Sequence, residues 1–166
     1  MNSVGQRERM TQKRVIQLFT EHLGYHYLGN WHKREDNRNI EPGLVSAWLT
    51  KRGVSEVLIA RAIRQLDRAA SLGEGRILYD ANKEVYRLLR YGVKDKEGAG
   101  EQNQTVWLVD WENPDANEFA IAEEVTYNGE NKKRPDLVLY VNGIALGVIE
   151  LKRSTVSVSE GIRQNL

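Results

Sequence analysis

Asp136, Glu150 and Lys152 interrupt a stretch that otherwise favours burial, RPDLVLYVNGIALGVIELKRS, residues 134–154. Two apolar segments flank Asn142-Gly143, a pairing that reads as a β-hairpin. Glu150 and Lys152 are two residues apart, so on a strand their side chains leave the same face. Where Asp136 points depends on the turn. A two-residue turn over Asn142-Gly143 sets Asp136 opposite Ile149 and separates the two acids. A three-residue turn over Val141-Asn142-Gly143 sets it opposite Val148, diagonally beside Glu150. Away from the acids both faces are apolar, so the hairpin reads as central and covered on both sides.

Two carboxylates brought together in a partly buried place repel each other, and a divalent cation relieves that repulsion. Hard oxygen ligands at an open edge suit Mg²⁺ or Mn²⁺, which retain water and accept phosphate oxygens. A lysine two residues beyond the second acid can hold the attacking water and offset charge growing on a phosphorus centre. The triplet therefore has a coherent chemistry, metal-assisted hydrolysis of a phosphodiester. The plainer alternative is that Asp, Glu and Lys sit at strand ends as ordinary polar residues or a cross-strand ion pair.

The elements that must position these residues read in two blocks. RERMTQKRVIQLFTEHLGY carries Ile16, Phe19 and Leu23 at helical spacing and stops at Gly24. Extended backwards, that stripe reaches Gln12 and Glu8. NWHKREDNRNIEPG reads as loop. LVSAWLTKRG and SEVLIARAIRQLDRAAS read as helices, the second capped by Ser55 with Ile59, Ile63 and Leu66 on one face and Arg61, Arg64 and Arg68 on another. From residue 77 the segments ILYD, EVYRLLRYGV, TVWLVDW and FAIAEEVTY read as strands, separated by loops such as KDKEGAGEQNQ and NPDAN. SVSEGIRQNL opens a helix that ends after barely two turns. The expected plan is one domain over 1–166 of α/β (α+β) class, helical over 8–70, sheet over 77–152, with a truncated helix over 157–166 in a fragment of a longer chain.

Composition constrains the partners less than the motifs do. The 166 residues suffice for one well-formed core. Lys and Arg number 24 against 23 Asp and Glu, so any polyanion site must come from local clustering. Residues 106–131 contain seven acids and no Lys or Arg, whereas KKR at 132–134 stands beside the acid-bearing hairpin. The absence of cysteine excludes disulfides and thiolate metal sites. No apolar run is long enough for a membrane span and the first residues lack a signal-peptide core, so a cytoplasmic address is expected. His22, His26 and His32 read as ordinary histidines, since Gly24 breaks their helical spacing.

Beyond what the residues alone imply, RPDLVLYVNGIALGVIELKR resembles the PD-(D/E)xK nuclease core, and VNGIALGVIELK in particular resembles the N-terminal endonuclease domain of type I restriction enzyme R subunits, the motor and endonuclease subunits. The likeness is strongest over 132–166, weaker over VWLVDWENP and ANEFAIAEEVTYNG, and absent to inspection over 29–72. It implies a restriction-endonuclease-like core with a central mixed sheet flanked by helices. It implies Asp136 and Glu150 as metal ligands and Lys152 as the catalytic lysine. Many members carry Q-x-x-x-Y on the following helix; Gln164 stands at the glutamine, and the chain ends at Leu166 before the tyrosine. A first-helix glutamate is also implied, with Glu8 the best match, Gln12 in a competing place and Glu21 a third choice. Double-stranded DNA, methyltransferase and specificity subunits are the implied partners. ATP is implied only for the full-length subunit, since this chain has no G-x-x-x-x-G-K-[ST] loop. Two other functions compete: a non-cleaving module that docks DNA or a subunit, and a repair or junction-resolving nuclease of the same superfamily.

Overall fold

The computed structural model describes residues 3–73, 75–127 and 133–151, with side chains from residue 9 onward. The chain divides into two compact units: 1–39, 119–140 and 145–166 form the first, 40–118 and 141–144 the second. The fold is α/β as the sequence implies, with helices and a mixed four-stranded sheet, and a small two-stranded ribbon in the second unit.

In the first unit, α1 (Ser3–Gln17) continues into a turn of π-helix, Leu18–His22, where the Leu23 amide donates to the Leu18 carbonyl five residues back. Gly24 then takes a φ of +73°, the left-handed stop expected there. β1 (His26–Asn30) pairs in parallel with β4 (Phe119–Glu123), setting His26 beside Ala120 and Asn30 beside Glu123 with a bulge between Tyr27 and Gly29. β5 (Leu137–Val141) and β6 (Ile144–Ile149) complete a sheet of order β1-β4-β5-β6. Its core is Trp31, Ala120, Ala122, Val125, Val138 and Tyr140.

The hairpin departs from one expectation drawn from its two-sided apolar pattern. β6 is the edge among the described strands, and Leu146 and Val148 are about half exposed on it. Apolar side chains on both faces do not by themselves place a strand at the centre of a sheet.

The second unit is built from α2 (Pro42–Lys51), α3 (Glu56–Ala70), α4 (Leu78–Tyr91) and a ribbon of β2 (Val93–Asp95) with β3 (Gln104–Val106). Ser55 caps α3 as its sequence implies, its Oγ accepting from the Leu58 amide. Ile59, Ala62 and Leu66 are buried among Val45, Leu49, Leu88, Val93 and Val106. The burial of each of the larger side chains among them contributes about 1.5–3 kcal/mol before entropy is counted.

Two segments that read as strands are not. ILYD and EVYRLLRYGV form α4, because Ala81, Val85, Leu88 and Leu89 repeat at helical spacing and bury one stripe, which outweighs the strand propensity of Val and Tyr. Of TVWLVDW, only the start belongs to β3; Trp107 to Asn113 run without regular structure. Conversely, HYLGN is strand β1.

The turn between β5 and β6 is two residues long. Asn142 and Gly143 have φ of +51° and +84°, the signature of a type I′ turn. The three-residue alternative is therefore not adopted. Asn142 is 1% exposed and its side chain is fully engaged: Nδ2 donates to the Leu108 carbonyl (3.0 Å) and Asn117 Oδ1 (2.8 Å), and Oδ1 accepts from the Glu118 amide (2.8 Å). A Cβ on Gly143 would lie 2.6 Å from Leu44 Cβ and 2.7 Å from the Val45 amide nitrogen.

Gly143→Ala thus meets both a left-handed backbone and a helix it cannot displace. We expect a loss of about 1–3 kcal/mol, seen as a lower Tm of roughly 2–4 °C per kcal/mol in a thermal melt. An unchanged melting temperature would contradict the close approach described.

Candidate functional site

Asp136 and Glu150 lie just outside the strands, Asp136 immediately before β5 and Glu150 immediately after β6, and both are half-buried. Strand edges at such points leave backbone donors for side chains to use. Asp136 Oδ2 accepts the Leu151 amide hydrogen at 2.6 Å. This puts the Asp136 carboxylate against the peptide that links Glu150 to Leu151. The two-residue register sets Asp136 opposite Ile149, and what Asp136 reaches at the far end of the hairpin is the Leu151 backbone amide. Its other oxygen takes no hydrogen bond among the described residues. The Asp136 carbonyl accepts from the Glu124 amide at 2.9 Å, fixing the residue from its backbone side as well.

The remaining candidates are less completely placed. Position 8 lies in α1, one helical turn before Gln12, and the Glu8 side chain lies outside the described residues. Lys152 and Gln164 also lie outside them. Glu21 sits exposed in the π-helical turn. Among the described residues no three His, Cys, Asp or Glu side chains gather as a metal cluster, so a cation here would rest on the Asp136 and Glu150 pair with water.

Next to this pair is a polar network the sequence pattern does not mark. Glu123, at the end of β4, accepts from Tyr27 Oη at 2.7 Å and from Gln12 Nε2 at 2.8 Å. Gln12, the residue that competes with Glu8 in the sequence, thus points from α1 to Glu123. Glu123 ends the apolar run FAIA, a weak clue, but its partners come from α1 and β1 and become visible only once the parallel β1–β4 pairing is known. Glu124, with a φ of +54°, pairs with Arg134 at 3.0 Å, and Arg134 in turn contacts His32 Nδ1 at 3.0 Å.

These groups border an open cleft of about 430 Å³ that also includes Arg9 and Lys13. The cleft carries more cationic than anionic groups, so a polyanion finds compensating charge there even though the whole chain is nearly neutral. By contrast the Arg61, Arg64 and Arg68 stripe is partly used up internally: Arg61 pairs with Asp95 at 3.0 Å and donates to the Lys96 carbonyl.

The family model described as type I restriction enzyme R protein N terminus matches residues 5–166. Two relatives from Methanocaldococcus jannaschii carry the names "Putative type I restriction enzyme MjaIXP endonuclease subunit" and "Putative type I restriction enzyme MjaVIIIP endonuclease subunit". The first is 34% identical over 121 residues, 69% of this chain and 10% of its own length. The second is 37% identical over 74 residues, 43% of this chain and 7% of its own length. The chain thus spans about a tenth or less of the relatives it matches. No solved structure gives a significant match.

The Tyr27–Glu123 contact has a consequence for titration. Partial burial of the phenol, then its hydrogen bond to Glu123 and the charge of that carboxylate, raise the Tyr27 pKa to about 12. The unfolded chain releases this proton near its ordinary value of about 10. The contribution of Tyr27 to stability is therefore complete below that value and is lost as pH rises through the folded one. In an ultraviolet titration, Tyr27→Phe should delete one ionisation from the alkaline end near pH 12. Deletion of an ionisation centred near the ordinary tyrosine value would rule out the contact.

Proposed function

The chain belongs to the family described as type I restriction enzyme R protein N terminus, and from that premise we propose that it is the nuclease domain of an R subunit, hydrolysing DNA phosphodiester bonds with a divalent cation held by Asp136 and Glu150. The observation that carries the reading is the Asp136 Oδ2 to Leu151 N hydrogen bond, which ties one carboxylate to the chain between the second carboxylate and Lys152.

The donor set fits a hard cation. Both carboxylates are half-buried, and one oxygen of Asp136 is held by a backbone donor while the other takes no hydrogen bond among the described residues. Mg²⁺ is commonly held by one or two carboxylates with water and substrate phosphate completing its shell. When bound, Mg²⁺ or Mn²⁺ supplies Lewis-acid polarisation of a phosphoryl oxygen and a more acidic water.

The chain's own residues supply the rest. The Leu151 amide orients the Asp136 carboxylate. Lys152 holds the attacking water and offsets charge developing on the phosphorus centre. Gln164 and Glu8 follow the family pattern, Gln164 as a positioning group for substrate and Glu8 as the first-helix acid. The cationic cleft with Arg9, Lys13 and Arg134 receives the phosphates flanking the cut.

The longer subunit to which this domain belongs brings ATP-driven translocation on DNA, and works with methyltransferase and specificity subunits in the cytoplasm. Among the described residues no helix is long and apolar enough to cross a membrane.

Calorimetric titration of Mn²⁺ into the wild type, Asp136→Ala and Glu150→Ala tests the reading. Saturable binding in the wild type, lost in both variants, is the expected result. Wild-type affinity retained in either variant, or a wild type that takes up no Mn²⁺, would overturn the pair as ligands.

A further inference from the structure

The second unit contains a built cavity that the nuclease chemistry does not use. After β3 the chain runs through WLVDWENPDAN without strand or α-helix, apart from one 3₁₀ turn at Pro114–Ala116, and presents Trp107 and Trp111 about half exposed. Such a segment would ordinarily be mobile and polar. Here it is pinned by two buried amides. Asn117 Oδ1 accepts from the Asp110 amide at 2.8 Å, its Nδ2 donates to the Asp110 and Pro114 carbonyls at 2.9 and 2.8 Å, and Asn142 Nδ2 holds the Leu108 carbonyl.

The indoles are fixed in the same way. Trp111 Nε1 donates to the Leu89 carbonyl at 2.8 Å, at the end of α4, and Trp48 Nε1 lies 3.4 Å from the Ala116 carbonyl. With the Trp111 N–H engaged by the backbone, what that half-exposed ring offers a ligand is π-surface, and half-exposed Trp107 lines the same cavity. Arg52 bonds Asp110 at 2.7 Å, and the Arg90 guanidinium lies 5.7 Å from the Trp111 ring centroid.

Together these groups border a cavity of about 430 Å³ with Tyr91 and Glu112 at its wall, within the range of about 300–1,000 Å³ usual for small-molecule sites. Its charges balance, since Arg52 and Arg90 face Asp110 and Glu112. That balance argues against a quaternary ammonium, which aromatic cages take without competing guanidinium groups. An apolar peptide side chain would leave Arg90 and Glu112 without use. A planar heterocycle with amine donors on its edge and a phosphate attached matches all three features: ring faces, a carboxylate and a guanidinium.

We propose that this cavity takes an unstacked nucleobase of single-stranded DNA, with its ring against Trp107 and Trp111, its exocyclic amine towards Glu112 and its phosphate towards Arg90. The choice of DNA rests on the proposed function, whereas the cavity itself owes nothing to Asp136 or Glu150. A paired duplex keeps its base faces stacked and cannot enter. Stacking of one base on an aromatic side chain is expected to change affinity by about 5- to 150-fold on alanine substitution.

The test is fluorescence of a short oligodeoxynucleotide carrying one 2-aminopurine, titrated with the whole chain as single strand, as duplex and as the 2-aminopurine deoxynucleoside monophosphate. Quenching of the single strand is expected, weakened at least about fivefold by Trp107→Ala and restored in part by Trp107→Phe. Trp107 is half exposed and outside every regular element, and a thermal melt of the same variant, expected to match the wild type, checks that the fold is intact. Equal quenching in wild type and Trp107→Ala, or equal response of duplex and single strand, would overturn the site. Tighter binding of the mononucleotide than of the strand would overturn the DNA assignment in favour of a free nucleotide. Failure of the metal site would leave the quenching intact, so the two proposals fail separately.

Discussion

The buried side chain of Asn142 is the constraint on which most of the described arrangement depends. Its amide satisfies the Leu108 carbonyl and the Glu118 amide, each of which would cost about 1–3 kcal/mol if left unpaired in the interior, and adds a second hydrogen bond to Asn117 Oδ1. The residue must also adopt a left-handed backbone, which asparagine tolerates better than most residues. Both demands meet at one position, so the turn has little freedom to lengthen or slip. Turn length sets strand register, and register decides what the far ends of β5 and β6 bring together. The same amide holds Leu108 and Asn117, and through them the loop that carries Trp107 and Trp111.

A second theme is the way isolated charges are used locally. The acids between residues 106 and 131 look like one polyanionic tract in the sequence, but the fold divides their work. Asp110 pairs with Arg52, Glu118 with Lys51, Glu123 with Tyr27 and Gln12, and Glu124 with Arg134. Most of these pairs are at least partly exposed, where ion pairs contribute little stability. Their service is to orient groups around two clefts. Net charge near zero therefore conceals one cleft richer in cations and one in balance.

How much could be read from the sequence follows from how local each signal is. The Ser55 cap, the Ile59 and Leu66 stripe of α3 and the Gly24 stop need only neighbours a few residues away, and all are present. α4 is harder because Tyr79, Val85 and Tyr86 are good strand formers, while its helical repeat rests on Ala81, Val85, Leu88 and Leu89. β1 is short and polar and gains its identity from β4, far along the chain. Asp136 and Glu150 announce themselves by breaking apolar runs, but the contact to Leu151 required knowing the register. Glu123 with Tyr27 and Gln12 had no comparable local mark, since three separate elements meet there.

The parallel pairing of β1 with β4 also fixes an order of events during synthesis. Residues 31–118 separate the two strands, so β1 emerges from the ribosome with no partner for its backbone groups. α2, α3 and α4 meet neighbours close in sequence and can collapse as they are made. The sheet must wait for Ala120 and its neighbours, and Asn142 arrives later still to close the last buried amides. A chain that stalls before residue 119 therefore holds folded helices and a strand still unpaired, the state most open to capture by chaperones.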